Sequence, residues 1–272
     1  MGIGNLKILA IGAHPDDCEL LTGGTAVKFA RAGATVRFVS ATNGDTGHFA
    51  FGGGVLARRR AEEAKKAAAE AGVESVVLDI HNNGLEADIP TREIFIRLIR
   101  EYAPDIIFTH RPWDYHPDHR RTSLLVQDSS YAVLIPNVCP LTPVLKKTPA
   151  IFYTCDHFKK PAEFMPDVAV AIDDVMDIKI KIVRAHESQI YEWLPWVDGQ
   201  LDKIPGDEAG RLAWITDKQQ ARDKKTADRF RNELIARYGP EAGARIQFAE
   251  AFERCEYGAR LNDDEIRAMF PA

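Results

Sequence analysis

Cysteine is scarce in this sequence, and long apolar runs are missing. The 272 residues include four cysteines, and no two of them form a CxxC pair. This spacing argues against a structural zinc ribbon or a thioredoxin-type redox site and is typical of reduced thiols in a cytosolic protein. No stretch approaches the roughly 20 apolar residues that a membrane span requires. We therefore expect a cytoplasmic protein with no membrane span.

An excess of positive charge is also absent. The sequence has 35 basic and 40 acidic side chains, so its formal net charge is −5 at pH 7. Because nucleic-acid binding depends largely on neutralising phosphates, this balance argues against a nucleic-acid partner. Hydrophobic residues make up 45% and charged residues 28%, which is an ordinary globular composition and argues against disorder.

Strand-like and helix-like segments alternate along the first two-thirds of the chain. Residues 6–13 form a nearly continuous apolar run, as expected for a strand buried on both faces, and further strands are predicted at 35–42, 73–80 and 105–110. Helical spacing follows them at residues 23–31, 55–71, 91–102 and 117–132. Further strands are predicted at 150–154 and 168–172, and further helices at 175–193 and 217–238. This order predicts an α/β fold with a mostly parallel sheet and helices on both faces.

The C-terminal part is less regular. Residues 193–214 contain several prolines and glycines, and no repeat or domain boundary is visible. We expect one domain over residues 1–272 with a C-terminal elaboration, in which residues 193–214 form a lid or an interface insertion. The nearby aromatic residues favour a homo-oligomer interface over a sugar-stacking wall; they are Tyr191, Trp193, Trp196 and Trp214.

Two polar clusters directly follow predicted strands. Residues 14–19 follow the first strand, and residues 114–119 follow the fourth. Ligands of open parallel sheets bind at these carboxyl ends of strands. Neither cluster has the GxGxxG pattern of a dinucleotide site, and the adjacent carboxylates Asp16 and Asp17 would repel a pyrophosphate. A dinucleotide cofactor is therefore disfavoured.

The two clusters together suggest a metal site. Imidazole and carboxylate groups are good zinc ligands, and catalytic zinc commonly has three protein ligands and one water. Asp16 and Asp17 point in different directions as neighbours, so one can bind the metal while the other faces the water. His116 and His119 share a helix face if the helix begins near Pro117. Such a site suits amide hydrolysis with zinc, or with another divalent metal such as Fe²⁺.

The motifs resemble one family. AHPDDCE at residues 13–19 resembles the AHPDDxE signature of the PIG-L/LmbE-like zinc-dependent N-deacetylases, and HPDH at 116–119 is similar to their second element. Segments 42–45, 60–64 and 186–189 are similar to later family elements. The resemblance implies a Rossmann-like fold and removal of acetyl from N-acetylglucosamine-type groups.

The resemblance also implies a metal centre. Its metal ligands would be His14, Asp17 and His119. Asp16 would be the general base and His116 the oxyanion stabiliser, acting as a cationic imidazole.

Two more residues receive expected roles from the resemblance, and the chain departs from the family pattern at one position. Asp118 would orient a catalytic imidazole, and Arg60 would contact polar groups of the substrate. Some family members have a catalytic tyrosine two residues before the position of His116, where this chain has Asp114. Tyr115 is one residue closer, and we expect both to lie in the substrate site without deciding which replaces the tyrosine. His110 could line the pocket, but spacing alone gives it only a structural role.

The predicted activity is removal of the acetyl group from a small N-acetylated amino sugar or glycoconjugate. One alternative is the same metal-assisted hydrolysis of a non-sugar or other N-acyl substrate, which the altered Asp114-Tyr115 pattern motivates. A second is a non-catalytic module that binds a metal or a nucleotide. The spare carboxylate of Asp16 argues against the second, because a pure binding site does not need it.

Overall fold

Seven strands form a single sheet in the computed structural model, which describes residues 2–272. The strands are β1 (Lys7–Gly12), β2 (Thr35–Ser40), β3 (Glu74–Val77), β4 (Ile106–Thr109), β5 (Ala150–Thr154), β6 (Val168–Ala171) and β7 (Ala249–Arg254). Their order across the sheet is β3-β2-β1-β4-β5-β7-β6. Strands β1 to β5 run parallel to one another, whereas β7 runs antiparallel to both β5 and β6.

Helices cover both faces of this sheet. They are α1 (Asp17–Arg31), α2 (Gly53–Ala71), α3 (Ile89–Tyr102), α4 (Pro117–Ala132), α5 (Met176–Arg184), α6 (Leu194–Val197), α7 (Glu208–Arg229), α8 (Arg231–Tyr238), α9 (Pro240–Arg245) and α10 (Asp263–Met269). Successive residues of a strand point to opposite faces. Accordingly, Ile8 and Ala10 of β1 pack in one core with α1 and α5, while Leu9 and Ile11 pack in a second core with α3 and α4. The predicted α/β fold, with a mostly parallel sheet between helices, is confirmed.

The structure differs from the sequence prediction at several helix boundaries. Helix α1 begins at Asp17 rather than at residue 23, so the acidic pair lies at the helix N-terminus. Its Gly24 permits a close approach, because a Cβ there would lie 2.8 Å from Cγ2 of Ile172. The helix predicted over 175–193 ends at Arg184 and is followed by a π-helical turn, Ser188–Trp193. Helix α7 begins at Glu208, well before the predicted start, because the side chain of Asp207 accepts the N–H of Gly210 and caps it.

A buried ion cluster joins four elements of the fold. The Nζ of Lys179 lies 2.9 Å from Oδ1 of Asp223 and 2.7 Å from Oε1 of Glu250, and all three side chains are almost fully buried. Glu250 also accepts the backbone N–H groups of Gly24 and Thr25. The cluster therefore ties α1, α5, α7 and β7 together.

Across the described part of the chain, no helix combines the length and apolar character needed to cross a lipid bilayer.

Candidate metal centre

The two polar clusters meet at the carboxyl ends of β1 and β4, which are neighbours in the sheet. The β1 turn leads into α1, and the loop after β4 ends at His116, the N-cap residue of α4. Because β2 lies on one side of β1 and β4 on the other, this is the topological switch point of the sheet. Both clusters line one cavity of about 340 Å³, a size that suits a small molecule.

Two ring nitrogens and the two carboxylate oxygens of Asp17 lie close together in this cavity. The Nδ1 of His14 lies 3.2 Å from the Nε2 of His119 and 3.4 Å from Oδ2 of Asp17. The His119 Nε2 lies 3.6 Å from Oδ1 of Asp17. A tetrahedral ion with bonds of 2.0–2.1 Å would hold its ligand atoms about 3.3–3.4 Å apart. Two imidazoles and a carboxylate suit a zinc-type ion in chemistry. Their separations are close to this ligand spacing, although the distance from His14 is measured to Oδ2 of Asp17 and that from His119 to Oδ1.

Two further histidines lie close enough to be considered as ligands. The nitrogens of His14, His116 and His119 form one compact group, and Asp17, His110 and His119 form another. Sequence spacing did not single out His110, which lies just after β4 and is 3% exposed. Its ring stacks on His119 with centroids 4.0 Å apart, and its Nε2 accepts the N–H of Ala13. Only the tertiary structure shows that His110 lies beside the turn after β1, so no sequence pattern could have identified it.

Two carboxylates contact the imidazoles of His14 and His119. Oδ2 of Asp118 lies 3.3 Å from the Nε2 of His14 and accepts the N–H of Asn83. Oδ2 of Asp114 lies 3.1 Å from the Nδ1 of His119. In both cases the carboxylate contacts the ring nitrogen that faces away from the candidate metal position, an arrangement that fixes the tautomer and orientation of a ligand histidine. The structure thus places Asp114, expected at the substrate, against His119.

The electrostatics of the cavity favour a bound cation. Burial opposes a charge on His14, but hydrogen bonds to Asp118 and Asp17 outweigh it and raise the pKa of His14 to about 9. Burial would also raise the pKa of Asp17, yet the nearby His119 and His110 hold that pKa well below its usual range. The cavity therefore favours a proton on His14 and a negative charge on Asp17, which means that it attracts positive charge. A metal ion bound there would compete with the proton of His14.

His116 differs from the expected cationic imidazole. Burial and the charges of His14 and His119 lower the pKa of His116 to about 4, so the ring is neutral near pH 7. Its Nδ1 accepts the backbone N–H of Asp118 at 3.2 Å. The ring proton of the neutral form therefore lies on Nε2.

Asp16 lines the same cavity and has an unusual backbone conformation. Its φ is 155°, and a positive φ in a residue other than glycine is strained by about 1–3 kcal/mol. Arg60 holds it there, since Nη2 donates to Oδ1 of Asp16 at 3.1 Å and to the carbonyl of Pro15 at 2.9 Å. Burial raises the pKa of Asp16 and the charge of Arg60 opposes the rise. A carboxyl group with a raised pKa is a better proton acceptor.

Arg60 was expected to contact substrate, and the structure places its guanidinium on the Asp16 loop. The residue is 2% exposed, although it borders the cavity. Its close packing requires glycine at position 44, where φ is +70° and a Cβ would lie 2.5 Å from Nη1 of Arg60.

The segments 60–64 and 186–189, singled out in the sequence, contact each other and neighbouring parts of the fold. Glu63 accepts both the N–H and the hydroxyl of Ser188, at 2.9 and 2.6 Å, and Gln189 donates to the carbonyl of Gly47. His186 lies 3.2 Å from Oε1 of Glu19. These contacts place the π-helical turn at the edge of the cavity.

Aromatic side chains lie around the cavity mouth. Tyr115 is 73% exposed and borders the opening, as does Trp193. Trp193 stacks on Trp196, which stacks in turn on Phe49. Tyr191 is buried in the core instead. The aromatic group seen in the sequence therefore divides between core and rim.

Solved structures define the class of this fold. The diacetylchitobiose deacetylase of Pyrococcus horikoshii aligns with a TM-score of 0.69 over 92% of this chain and 84% of that chain, at 24% identity. GalB, the 4-carboxy-2-hydroxymuconate hydratase of Pseudomonas putida KT2440, aligns with a TM-score of 0.73 over 95% and 99%, at 19% identity. These two proteins carry different reactions, so the likeness shows the LmbE-like α/β fold alone.

Sequence comparison identifies the family. The family described as PIG-L: GlcNAc-PI de-N-acetylase matches residues 9–130. The diacetylchitobiose deacetylase of Thermococcus kodakarensis is 34% identical over 205 residues, which are 70% of this chain and 73% of that protein. The probable N-acetyl-alpha-D-glucosaminyl L-malate deacetylase 2 of Bacillus cereus is 27% identical over 221 residues, 76% of this chain and 93% of that protein. The chain belongs to the PIG-L family, as residues 13–19 and 116–119 indicate.

Proposed function

We propose that this chain is a metal-dependent N-deacetylase that acts on a small N-acetylated amino sugar or glycoconjugate. The observation that carries the proposal is the proximity of His14, His119 and Asp17: the ring nitrogens of the two histidines lie 3.2 Å from each other and 3.4–3.6 Å from the carboxylate oxygens of Asp17. Asp16 lines the same cavity. Family membership and the names of the two relatives support this class of substrate.

In this proposal His14, Asp17 and His119 hold the metal ion. Oδ2 of Asp17 accepts the N–H groups of Ala13 and His14, which leaves Oδ1 to face the cavity. Zinc, or another divalent ion such as Fe²⁺, lowers the pKa of water and polarises a carbonyl when bound to such residues. Asp118 and Asp114 keep the two ligand imidazoles in orientation, so both act as positioning residues.

Asp16 is the proposed general base. Its carboxylate takes the proton from the attacking water and returns it to the leaving amine, which balances the proton over the two half-reactions. The hydrogen bond from Arg60 keeps the carboxylate turned towards the cavity.

His116 is the proposed oxyanion stabiliser. Because its neutral form carries the proton on Nε2, it donates a hydrogen bond to the oxygen that becomes negative in the tetrahedral intermediate. In this proposal His116 therefore acts as a neutral hydrogen-bond donor rather than as the cationic imidazole expected from the sequence. Tyr115 at the cavity mouth is the proposed substrate contact, and contacts of Arg60 and Asp114 with substrate stay predictions.

Acetate release tests the function directly. We expect the purified chain loaded with zinc to release acetate from N-acetylglucosamine derivatives, and we expect a chelator to abolish this activity until zinc is restored. A parallel panel of N-acetylated amino acids and other N-acyl amines separates the sugar substrate from the alternative N-acyl substrate. Turnover of none of these compounds by the zinc-loaded chain would contradict deacetylation.

Arg60→Gln should move the pH profile in a defined direction. The positive charge of Arg60 lowers the pKa of Asp16, so its removal raises that pKa. Because the base must be deprotonated, the acidic limb of the kcat/KM profile should move to higher pH. The exposed Arg58 on the same helix gives the matched control Arg58→Gln, whose acidic limb should coincide with that of the wild type. An unmoved or lowered limb in Arg60→Gln would disprove the role of this contact.

Location and assembly are further parts of the proposal. A cytoplasmic location is supported by the four cysteines, all of which are free thiols. The exposed stack of Trp196 and Phe49 supports residues 193–214 as a lid or as an interface between copies of the chain. Light scattering of the purified chain would decide between a homo-oligomer and a monomer.

A further inference from the structure

A groove continues from the cavity of the candidate metal centre. It has a volume of about 850 Å³ and lies between the residues that follow β5 and one face of α7. The two spaces share four lining residues, which are Cys155, Asp156, His157 and Arg222. A substrate whose acetamido group lies in the cavity could therefore extend directly into the groove.

Helix α7 presents a row of cations to this groove. They recur at intervals of three and four residues, so they share one helix face; they are Lys218, Arg222, Lys225 and Arg229. An adjoining face of α7 is buried in the protein, at Ile215, Gln219, Asp223 and Ala227. The helix is thus fixed by one stripe while the other stripe faces the groove.

The carboxylates of the groove do not cancel this charge. Asp156 lies 3.1 Å from Nη1 of the buried Arg111, which leaves Asp217 as the other acidic lining residue. The groove is therefore locally basic in a chain whose net charge is −5.

The four cations differ in their hydrogen bonds and ion pairs. Arg229 donates to the carbonyl of Asp156, and Lys218 donates to Gln200 and lies over the ring of Trp214. Among residues 2–272, Arg222 and Lys225 form no hydrogen bond or ion pair with another side chain or carbonyl, and both are exposed. An unpaired guanidinium beside an unpaired ammonium is suited to a carboxylate or a phosphate.

We propose that this groove binds an anionic group of the substrate, a carboxylate or a phosphate, at the end remote from the acetamido group. Arg222 and Lys225 bind the anion, and Trp214 packs against the linking part of the molecule. The inference rests on the proposed deacetylase activity and narrows its substrate to an anionic N-acetylated glycoconjugate.

Matched glycosides test the groove. The substrates are N-acetylglucosaminides with a methyl, a carboxymethyl or a phosphoethyl aglycone, and the readout is kcat/KM for acetate release. We expect the wild type to favour one or both anionic glycosides over the methyl glycoside by about 10- to 100-fold, mainly through KM. Arg222→Gln and Lys225→Gln should each reduce this ratio by about 10-fold, and high salt should also reduce it. The control Lys224→Gln changes an exposed lysine of the same helix outside the groove and should keep the ratio.

The outcomes separate this inference from the proposed function. Equal kcat/KM for all three glycosides in the wild type would overturn the proposal that the groove binds an anionic group. The proposed deacetylase activity would be unaffected by that result. If no glycoside is deacetylated, calorimetric binding of the carboxymethyl and phosphoethyl glycosides to wild type and Arg222→Gln decides the matter. Weaker binding to Arg222→Gln would support the groove, and equal or undetectable binding to both would overturn it.

Discussion

Replacing Asp16 by asparagine is expected to lower kcat for acetate release by about 10²- to 10⁴-fold. Asparagine keeps the size and the hydrogen bond from Arg60 but has no carboxylate to take a proton. Asp16 is outside the proposed ligand set, so the variant should retain its metal. Steady-state kinetics together with metal analysis of the same preparation measure both quantities.

Two comparison variants make the Asp16 result specific. Asp202→Asn changes an exposed aspartate outside the cavity and should keep the wild-type kcat. His119→Ala removes a proposed ligand and should lose metal together with activity. An Asp16→Asn enzyme with kcat within a few-fold of the wild type would exclude Asp16 as the base. Loss of metal from Asp16→Asn would indicate a ligand role instead.

Replacing Lys179 by methionine is expected to lower the free energy of unfolding by about 3–5 kcal/mol. The side chain of Lys179 is fully buried between Asp223 and Glu250. Methionine fills a similar volume but leaves two buried carboxylates without their cation. Urea unfolding followed by circular dichroism gives the free energy, provided the transition is two-state.

Lys181→Met is the matched control for this effect. Lys181 lies on the same helix two residues further on and is exposed, so its replacement should change the free energy of unfolding by about 0.5 kcal/mol or less. A Lys179→Met protein as stable as Lys181→Met would show that the cluster contributes nothing net to stability.

The central part of the fold was predictable because it depends on local pattern. Strands β1 and β4 are buried along nearly their whole length, and their sequences are rich in consecutive apolar residues. The helices between them carry their own spacing and stop signals, such as Gly72 at the left-handed C-cap of α2. The parallel order then follows, and with it the meeting of the two polar clusters.

Strand β7 was not predictable by the same means. Its Glu250 is buried, which interrupts the expected apolar pattern, and its partner Lys179 lies far away in sequence. The carboxylate is tolerated in the core only because that ammonium and two backbone N–H groups meet it there. Long-range compensation of this kind leaves no local signal.

The candidate site also has a part that was predictable from the sequence and a part that was not. The motifs predicted which residues meet in the candidate metal centre, because each cluster is contiguous in the chain. Sequence could not place Asp114 against His119 or Arg60 against Asp16, since these contacts depend on side-chain direction. The basic groove was also hidden, because its lining joins α7 to the residues after β5, which are distant in the chain.

The position of β7 in the sheet has a consequence for synthesis on the ribosome. Strand β6 joins the sheet through β7, yet Ala171 at its end precedes its partner Ala249 by 249 − 171 = 78 residues. At roughly 5–20 residues per second, translation of that interval takes on the order of several seconds. Until β7 is synthesised, β6 lacks the strand that it pairs with in the folded sheet, and its apolar Val168 and Val170 favour association with other chains during that interval.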